Sequence, residues 1–253
     1  MFDWLKPPVL KLQDFVLLTG RAFFNLFRAP HYWDDVAVQM DIIGVGSVPI
    51  VSMIGFFSGA VITLQMSRAL NQYGAQGEVG RIVSITLVRE LGPVLTAIIV
   101  AGRNASGMAS ELGSMKVTEQ IDAMRALGTD PTQKLVTPRL LATMFMLPIL
   151  TIIADFIGLI GGYIVACVML SLTTATTYWS TSYQVLEYND VAQGLIKPVV
   201  FAIVIALVGC FYGLETTGGT QGVGRATTRA VVVASVWIFV LTFFIGKFFV
   251  QLG

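Results

Sequence analysis

The stretch VTEQIDAMRALGTDP, Val117–Pro131, is a short charged segment set between two long apolar runs. Its punctuation is that of a helix. Thr118 suits the N-cap, Glu119 and Asp122 place negative charge near the positive helix end, Gly128 suits the left-handed C′ position, and Asp130-Pro131 blocks continuation. A helix over about 119–127 is predicted, with Val117, Ile121, Met124 and Leu127 on one apolar stripe and Glu119 and Asp122 on the other side. So short a helix does not hold alone in water. Its stripe must be covered by the membrane surface, by its own chain, or by a groove in a cytoplasmic partner.

What flanks this segment decides the fold. The chain of 253 residues is 55% hydrophobic and 12% charged, with a mean hydropathy of +0.76, far too apolar for a soluble domain. It reads as an all-α integral membrane protein. About 20 helical residues cross ~30 Å of hydrocarbon, and five runs qualify, at about 43–66, 82–103, 140–170, 195–214 and 230–250. None shows the alternation of a barrel strand. The third run is long for one crossing, so it is either strongly tilted or continues past the membrane surface. Residues 1–35 differ. Phe2, Trp4, Leu5, Val9, Leu12, Phe15, Phe23, Phe24 and Phe27 alternate with Lys6, Lys11, Arg21 and Arg28, the mixture of an amphipathic helix lying in the membrane interface. Asp3 and Asp14, and the lack of an uninterrupted apolar core, argue against a signal peptide. Two domains are therefore expected, an interfacial region 1–35 and a transmembrane region 36–253.

Lysine and arginine set the orientation. Eleven of the sixteen precede the first span or lie between spans two and three or four and five. The positive-inside tendency makes those regions, and with them Val117–Pro131 and the N-terminus, cytoplasmic. The opposite segment, 171–194, has no basic residue and carries Tyr178, Trp179, Tyr183 and Tyr188, which suits an interfacial aromatic belt on a short surface helix.

Span two, IVSITLVRELGPVLTAIIVAGR, carries Arg89 and Glu90 within the apolar run. Charges at that depth cost several kcal/mol unless paired or hydrated. Neighbours on a helix point about 100° apart, so these two cannot satisfy each other. Either they pair with another span, with Asp155 and Lys197 as candidates, or they line a polar substrate cavity. Pro93 removes the backbone donor to the carbonyl of Arg89, which favours a kink beside the charges. GFFSG (Gly55–Gly59), GLIGG (Gly158–Gly162) and GCFYG (Gly209–Gly213) permit close helix contact, within the chain or at a dimer seam.

Several chemistries are unsupported. There is no phosphate-binding G-x-x-x-x-G-K-[ST] loop, one histidine (His31), and no metal-ligand or hydrolase spacing. Cys167 and Cys210 sit in apolar runs as small hydrophobes. The net charge of +1 gives no reason to expect nucleic acid. No catalysis, metal or bound cofactor is expected. What remains is a transport subunit driven from outside itself, with a secondary transporter or a passive membrane anchor of a cytoplasmic complex as rivals.

VRELGPVLTAIIVAGRNASGMASELGSMKVTEQIDAMRALGTDP, Val88–Pro131, together with ATTRAVVVAS at 226–235, resembles the signature of MlaE-type permeases. The resemblance covers nearly the whole chain. It implies the permease of an ABC-type phospholipid transport system in the inner membrane of a Gram-negative bacterium. Two permease chains would pair with two ATPase subunits that use ATP and Mg, with a STAS-domain regulator and a periplasmic ring of MCE-domain proteins. The family's coupling helix falls on Glu119, Ile121, Asp122, Met124, Arg125 and Leu127, and its lipid-pocket glutamate on Glu90, with Arg89 beside it. If the two chains pair, the cavity between them would be lined by spans one and two, and Ile62, Leu70 and Tyr73 of span one are expected to contact acyl chains.

Overall fold

The computed structural model describes residues 6–30 and 32–252; Phe2, Asp3, Trp4, Leu5 and His31 lie outside the described residues. Every regular element among the described residues is helical: α1 (Lys6–Asn25), α2 (Trp33–Ile43), α3 (Val48–Gln72), α4 (Val79–Thr86), α5 (Gly92–Val100), α6 (Ser106–Val117), α7 (Gln120–Ala126), α8 (Thr137–Tyr163), α9 (Ala175–Gln184), α10 (Tyr188–Leu214) and α11 (Gly219–Leu252). Wider π turns join α4 to α5 at Leu87–Leu91 and α5 to α6 at Ala101–Ala105, and flank α8 at Thr132–Val136 and Ile164–Met169.

Five continuous runs are long and apolar enough to cross a membrane: Trp33–Gln72, Gln76–Val117, Thr132–Met169, Tyr188–Leu214 and Gly219–Phe249. The protein is a multi-pass, all-α membrane protein. Each run overshoots at least one end of the stretch its apolar residues mark, because hydropathy marks hydrocarbon whereas turns and caps end helices. The third run has 38 residues, roughly 57 Å at the helical rise, so it continues past the membrane surface rather than merely tilting.

The chain gathers into two compact units. One comprises the residues up to Ile43, Ala101–Thr143 and Ala202–Val236; the other comprises Gly44–Val100, Met144–Phe201 and the residues from Trp237 on. In the second unit the glycine patterns of spans one and three mesh. A Cβ on Gly55 would stand 2.5 Å from the Ala154 carbonyl oxygen, one on Gly59 1.8 Å from that of Gly158, and one on Gly161 2.1 Å from that of Phe56. With no side chain between them, the α3 and α8 backbones touch. Beside this seam Leu70, Val79, Val83, Leu87, Ala166 and Tyr178 form a buried cluster.

Tyr178 departs from its expected place in an aromatic belt. α9 is the predicted short helix, capped by Thr174, whose hydroxyl accepts from the Thr177 N–H at 3.3 Å. It packs on α4 closely enough that a Cβ on Gly80 would lie 2.4 Å from the Tyr178 carbonyl oxygen. Tyr178 is fully buried, donates to the Leu159 carbonyl at 3.0 Å, and has its phenol pushed further up by burial. Tyr183 and Tyr188 remain exposed.

In the first unit α1 keeps Val9, Leu12, Val16 and Phe24 exposed, Phe27 in the turn after it is exposed too, and Phe15 sits edge-on against Phe211 at 5.3 Å. The third glycine pattern also packs inside the chain: a Cβ on Gly213 would stand 2.7 Å from that of Leu112, and one on Gly209 3.0 Å from the Ala105 Cα. We expect Gly59→Ala to force α3 and α8 apart and cost roughly 1–3 kcal/mol. Thermal unfolding of the detergent-purified protein checks this, with Gly102→Ala as control, since a Cβ there meets nothing within 4 Å.

Candidate functional site

The π turn Leu87–Leu91 lies in the second unit and carries Arg89 and Glu90. Pro93 offers no N–H to the carbonyl of Arg89, and the Lys197 ammonium donates to that oxygen at 2.7 Å. The same ammonium pairs with Glu90 Oε1 at 2.7 Å. Arg89 pairs with Asp190 through Nε, and the other Asp190 oxygen accepts from the Glu187 N–H at 3.0 Å. Gln193 Nε2 approaches Glu90 Oε1 at 3.4 Å.

These partners come from one face of α10, since Asp190, Gln193 and Lys197 recur at i, i+3 and i+7. Gly194 completes the face, and a Cβ there would stand 2.8 Å from the Val88 carbonyl oxygen, so its absence lets α10 reach the π turn. Two neighbours that point apart on span two thus find separate counter-ions on span four, and the four charges sum to zero. Burial is uneven. The side chains of Asp190 and Lys197 are 2% and 0% exposed, those of Arg89 and Glu90 42% and 47%. The hidden pair is structural scaffolding, and the half-open pair can still meet a ligand.

Of the two expected counter-ions, Lys197 pairs and Asp155 does not. The Asp155 carboxylate fills the space Gly92 leaves, 1.7 Å from where a Cβ would lie, and its Oδ1 has no hydrogen-bond partner among the described residues. Asp190 and Gln193 escaped the sequence reading because counting apolar residues starts span four near 195. The seven-residue spacing of Asp190 and Lys197, facing the adjacent opposite charges of span two, is the signal that locates them.

The three acyl-contact candidates separate. Ile62 is half-buried against the cluster of Val79, Val83 and Tyr178, Leu70 belongs to that cluster, and Tyr73 is exposed. A separate, small apolar crevice of about 10 Å³ lies inside the chain near the start of α3, lined by Val51, Ile54, Ser58, Leu91, Leu95 and Ala154 among others.

The opening segment lies in the first unit. α7 spans Gln120–Ala126, and Thr118 is not its cap. Thr118 ends α6, its hydroxyl donating back to the Ser114 carbonyl at 2.9 Å, and the elbow between the helices is Glu119 at φ 60°. The C-terminus follows the expected pattern. Gly128 at φ 79° donates to the Arg125 carbonyl at 3.0 Å while Thr129 donates to that of Met124 at 3.0 Å, a Schellman pair. Lys116 on α6 holds both Asp122 oxygens, at 2.9 and 3.1 Å, and Arg125 adds a contact at 3.2 Å.

The Lys116 hydrogen bonds hold the Asp122 carboxyl below its usual value. This pair's contribution is full above the ordinary aspartate pKa and fades as pH falls toward the lowered one. The apolar stripe divides. Ile121 is fully buried within the chain and Met124 half-buried, while Val117 is 39% and Leu127 84% exposed. Own-chain cover accounts for Ile121, and Leu127 is left without it. Behind α7, Asp130 and the following turn are tied to the α1–α2 region by Asn25–Asp130 at 3.3 Å, by Gln133 on the Arg28 and Pro30 carbonyls at 3.1 and 3.0 Å, and by a Lys134–Asp35 pair.

Residues 36–248 match the family model described as Permease MlaE. A Rickettsia typhi protein named "Probable ABC transporter permease protein" is 41% identical over 92% of this chain and 90% of its own length. The "Intermembrane phospholipid transport system permease protein MlaE" of Haemophilus influenzae is 34% identical over 91% of each chain. The Arabidopsis thaliana "Protein TRIGALACTOSYLDIACYLGLYCEROL 1, chloroplastic" is 32% identical over 93% of this chain and 67% of its own.

Lys197→Met strands both the Arg89 carbonyl and the Glu90 carboxylate and should destabilise the protein by about 3–5 kcal/mol. Glu90→Gln, at the half-open end, should cost about 1–3 kcal/mol. The double variant should cost less than the two added together. Thermal or denaturant unfolding of all three in detergent checks the coupling.

Proposed function

From its membership of the MlaE permease family, to which this ABC-type permease chain belongs, we propose that the protein moves phospholipid between a bacterial inner membrane and periplasmic MCE-domain partners, driven by a separate ATPase. The observation that carries this reading is the uneven burial of the charge quartet. Asp190 and Lys197 are hidden, while Arg89 and Glu90, held on a π turn in an otherwise apolar span, stay half-open. A phospholipid needs that combination: apolar walls for its tails and a few fixed polar groups for its head. Leu91, next to Glu90, belongs to a small apolar crevice with Val51, Ile54 and Leu95, which gives the π turn an apolar neighbourhood.

In this reading the N-terminus and α7 are cytoplasmic, two copies pair, two ATPase subunits dock, and a STAS-domain regulator joins them. The chain itself performs no hydrolysis. Glu119, Asp122 and Arg125 on the open side of α7, and Leu127 at its end, meet the ATPase, while Ile121 and Met124 root the helix in its own chain. ATP-driven closure would push on α7, and the Lys116–Asp122 clamp and the Glu119 elbow pass the push to α6. α6 belongs to the same continuous run, Gln76–Val117, that carries Glu90. π turns interrupt that run twice, and such turns are where a helix yields.

Two measurements test this. Leu127→Asp should leave the protein folded and lower lipid-dependent turnover of the co-purified ATPase roughly 30-fold, as loss of an anchor worth ~2 kcal/mol does. Undiminished assembly and turnover would refute the docking role. Glu90→Gln should reduce the phospholipid that co-purifies with the complex, and an unchanged amount would leave Glu90 a purely structural partner of Lys197.

A further inference from the structure

A second polar feature lies in the first unit and shares no residue with the Arg89–Glu90 site. The end of α10, the turn after it, the first turns of α11 and Lys11 of α1 enclose a cavity of about 150 Å³. Its charged lining is Lys11, Arg225, Arg229 and Glu215, an excess of two positive charges, with Thr216 and Thr217 adding hydroxyls. None of these four charged groups makes an ion pair among the described residues. Among the described residues Arg225 makes only a long contact, Nε to the Gln221 carbonyl at 3.5 Å, and its other donors meet no acceptor there. Three cations gathered around one cavity with a single unpaired carboxylate repel one another, and an anion in the cavity relieves that repulsion.

The position of the cavity says which anion. It lies where two membrane-crossing runs meet, one ending at Leu214 and the other starting at Gly219, which is head-group depth. Along α11 the basic residues continue into an apolar face: Arg225, Arg229, Val232 and Val236 recur at i, i+4, i+7 and i+11, and both valines are more than half exposed. On the other wall Lys11 stands between the exposed Val9 and Leu12 of α1. Cations at the surface with apolar faces running inward have the layout of a head and its tails.

We infer that this cavity holds the phosphodiester head of an anionic phospholipid in the leaflet on the basic side of the chain, as a resident lipid that fastens α1 to the start of α11. Arg225 and Arg229 take the phosphate oxygens, Lys11 closes over them from α1, and Glu215 disfavours a second full negative charge. Free inorganic phosphate shares the head's chemistry but makes no use of the apolar faces.

The test is native mass spectrometry of the full-length protein in detergent, titrated with phosphatidylglycerol, with phosphatidylethanolamine, and with phosphatidylglycerol in the presence of inorganic phosphate. The wild type should retain phosphatidylglycerol preferentially. Lys11→Gln should weaken that retention roughly fivefold and R225Q/R229Q roughly 25-fold, at about fivefold per cation. The same weakening by Lys11→Gln and by R225Q/R229Q should persist in a Glu90→Gln background, which separates failure here from failure of the transport reading. Equal retention of both lipids by the wild type, undiminished retention by both sets of variants, or full displacement by millimolar phosphate would overturn the inference. Lys11 is exposed on α1, so its variant keeps the test decisive if the double variant does not fold.

Discussion

A single ammonium group organises the first half of span two. Pro93 takes a hydrogen-bond donor out of the helix, and the carbonyl it abandons, that of Arg89, lies in an apolar run where an unsatisfied oxygen costs several kcal/mol. Lys197 answers it from span four and closes an ion pair with Glu90 in the same move. The wide π turn, the bare flank of Gly194 and the pairing of Arg89 with Asp190 are consistent with that one requirement, because each lets α10 come close enough for the lysine to reach. A buried lysine is costly in itself and is retained here by two acceptors at 2.7 Å.

The arrangement reconciles two opposed demands. In the proposed function the site for a lipid head must present charge, and a membrane span must hide it. By burying one member of each pair and leaving the other half-open, the protein fixes the charges in place without neutralising them to a ligand. All three G-x-x-x-G patterns are used inside the chain, bringing α3 onto α8 in the second unit and α10 onto the α5–α6 turn and α6 in the first.

The segment Val117–Pro131 shows how a sequence pattern divides in three dimensions. Val117, Ile121, Met124 and Leu127 form one stripe on a helical wheel, but α6 ends at Val117 and the chain turns at Glu119 before α7 begins. The turn parts Val117 from the rest of the stripe, and Leu127 lies past the last residue of α7, so Ile121 is buried while Leu127 is left in the open. Thr118 illustrates the same limit. Its hydroxyl can cap the helix ahead or bond back to the helix behind, and only the direction of the chain decides between them.

The sequence by itself determined the membrane class, the five spans, the Gly128 stop of α7, the short helix in segment 171–194, the abandoned carbonyl at Arg89 and the need of Arg89 and Glu90 for partners. Each of these rests on local quantities: apolar length, the fixed φ of proline, the positive φ that glycine tolerates, and the 100° step between helical neighbours. Only the tertiary structure decided that Lys197 meets Glu90, that Asp190 and not Asp155 meets Arg89, that Tyr178 and Leu70 serve the core, and that the glycine patterns pack within one chain. The physical reason is range. A residue's cost in the membrane is set by its own chemistry, but what relieves that cost lies about a hundred residues away and is reached through the packing of whole helices, which no short window of sequence contains.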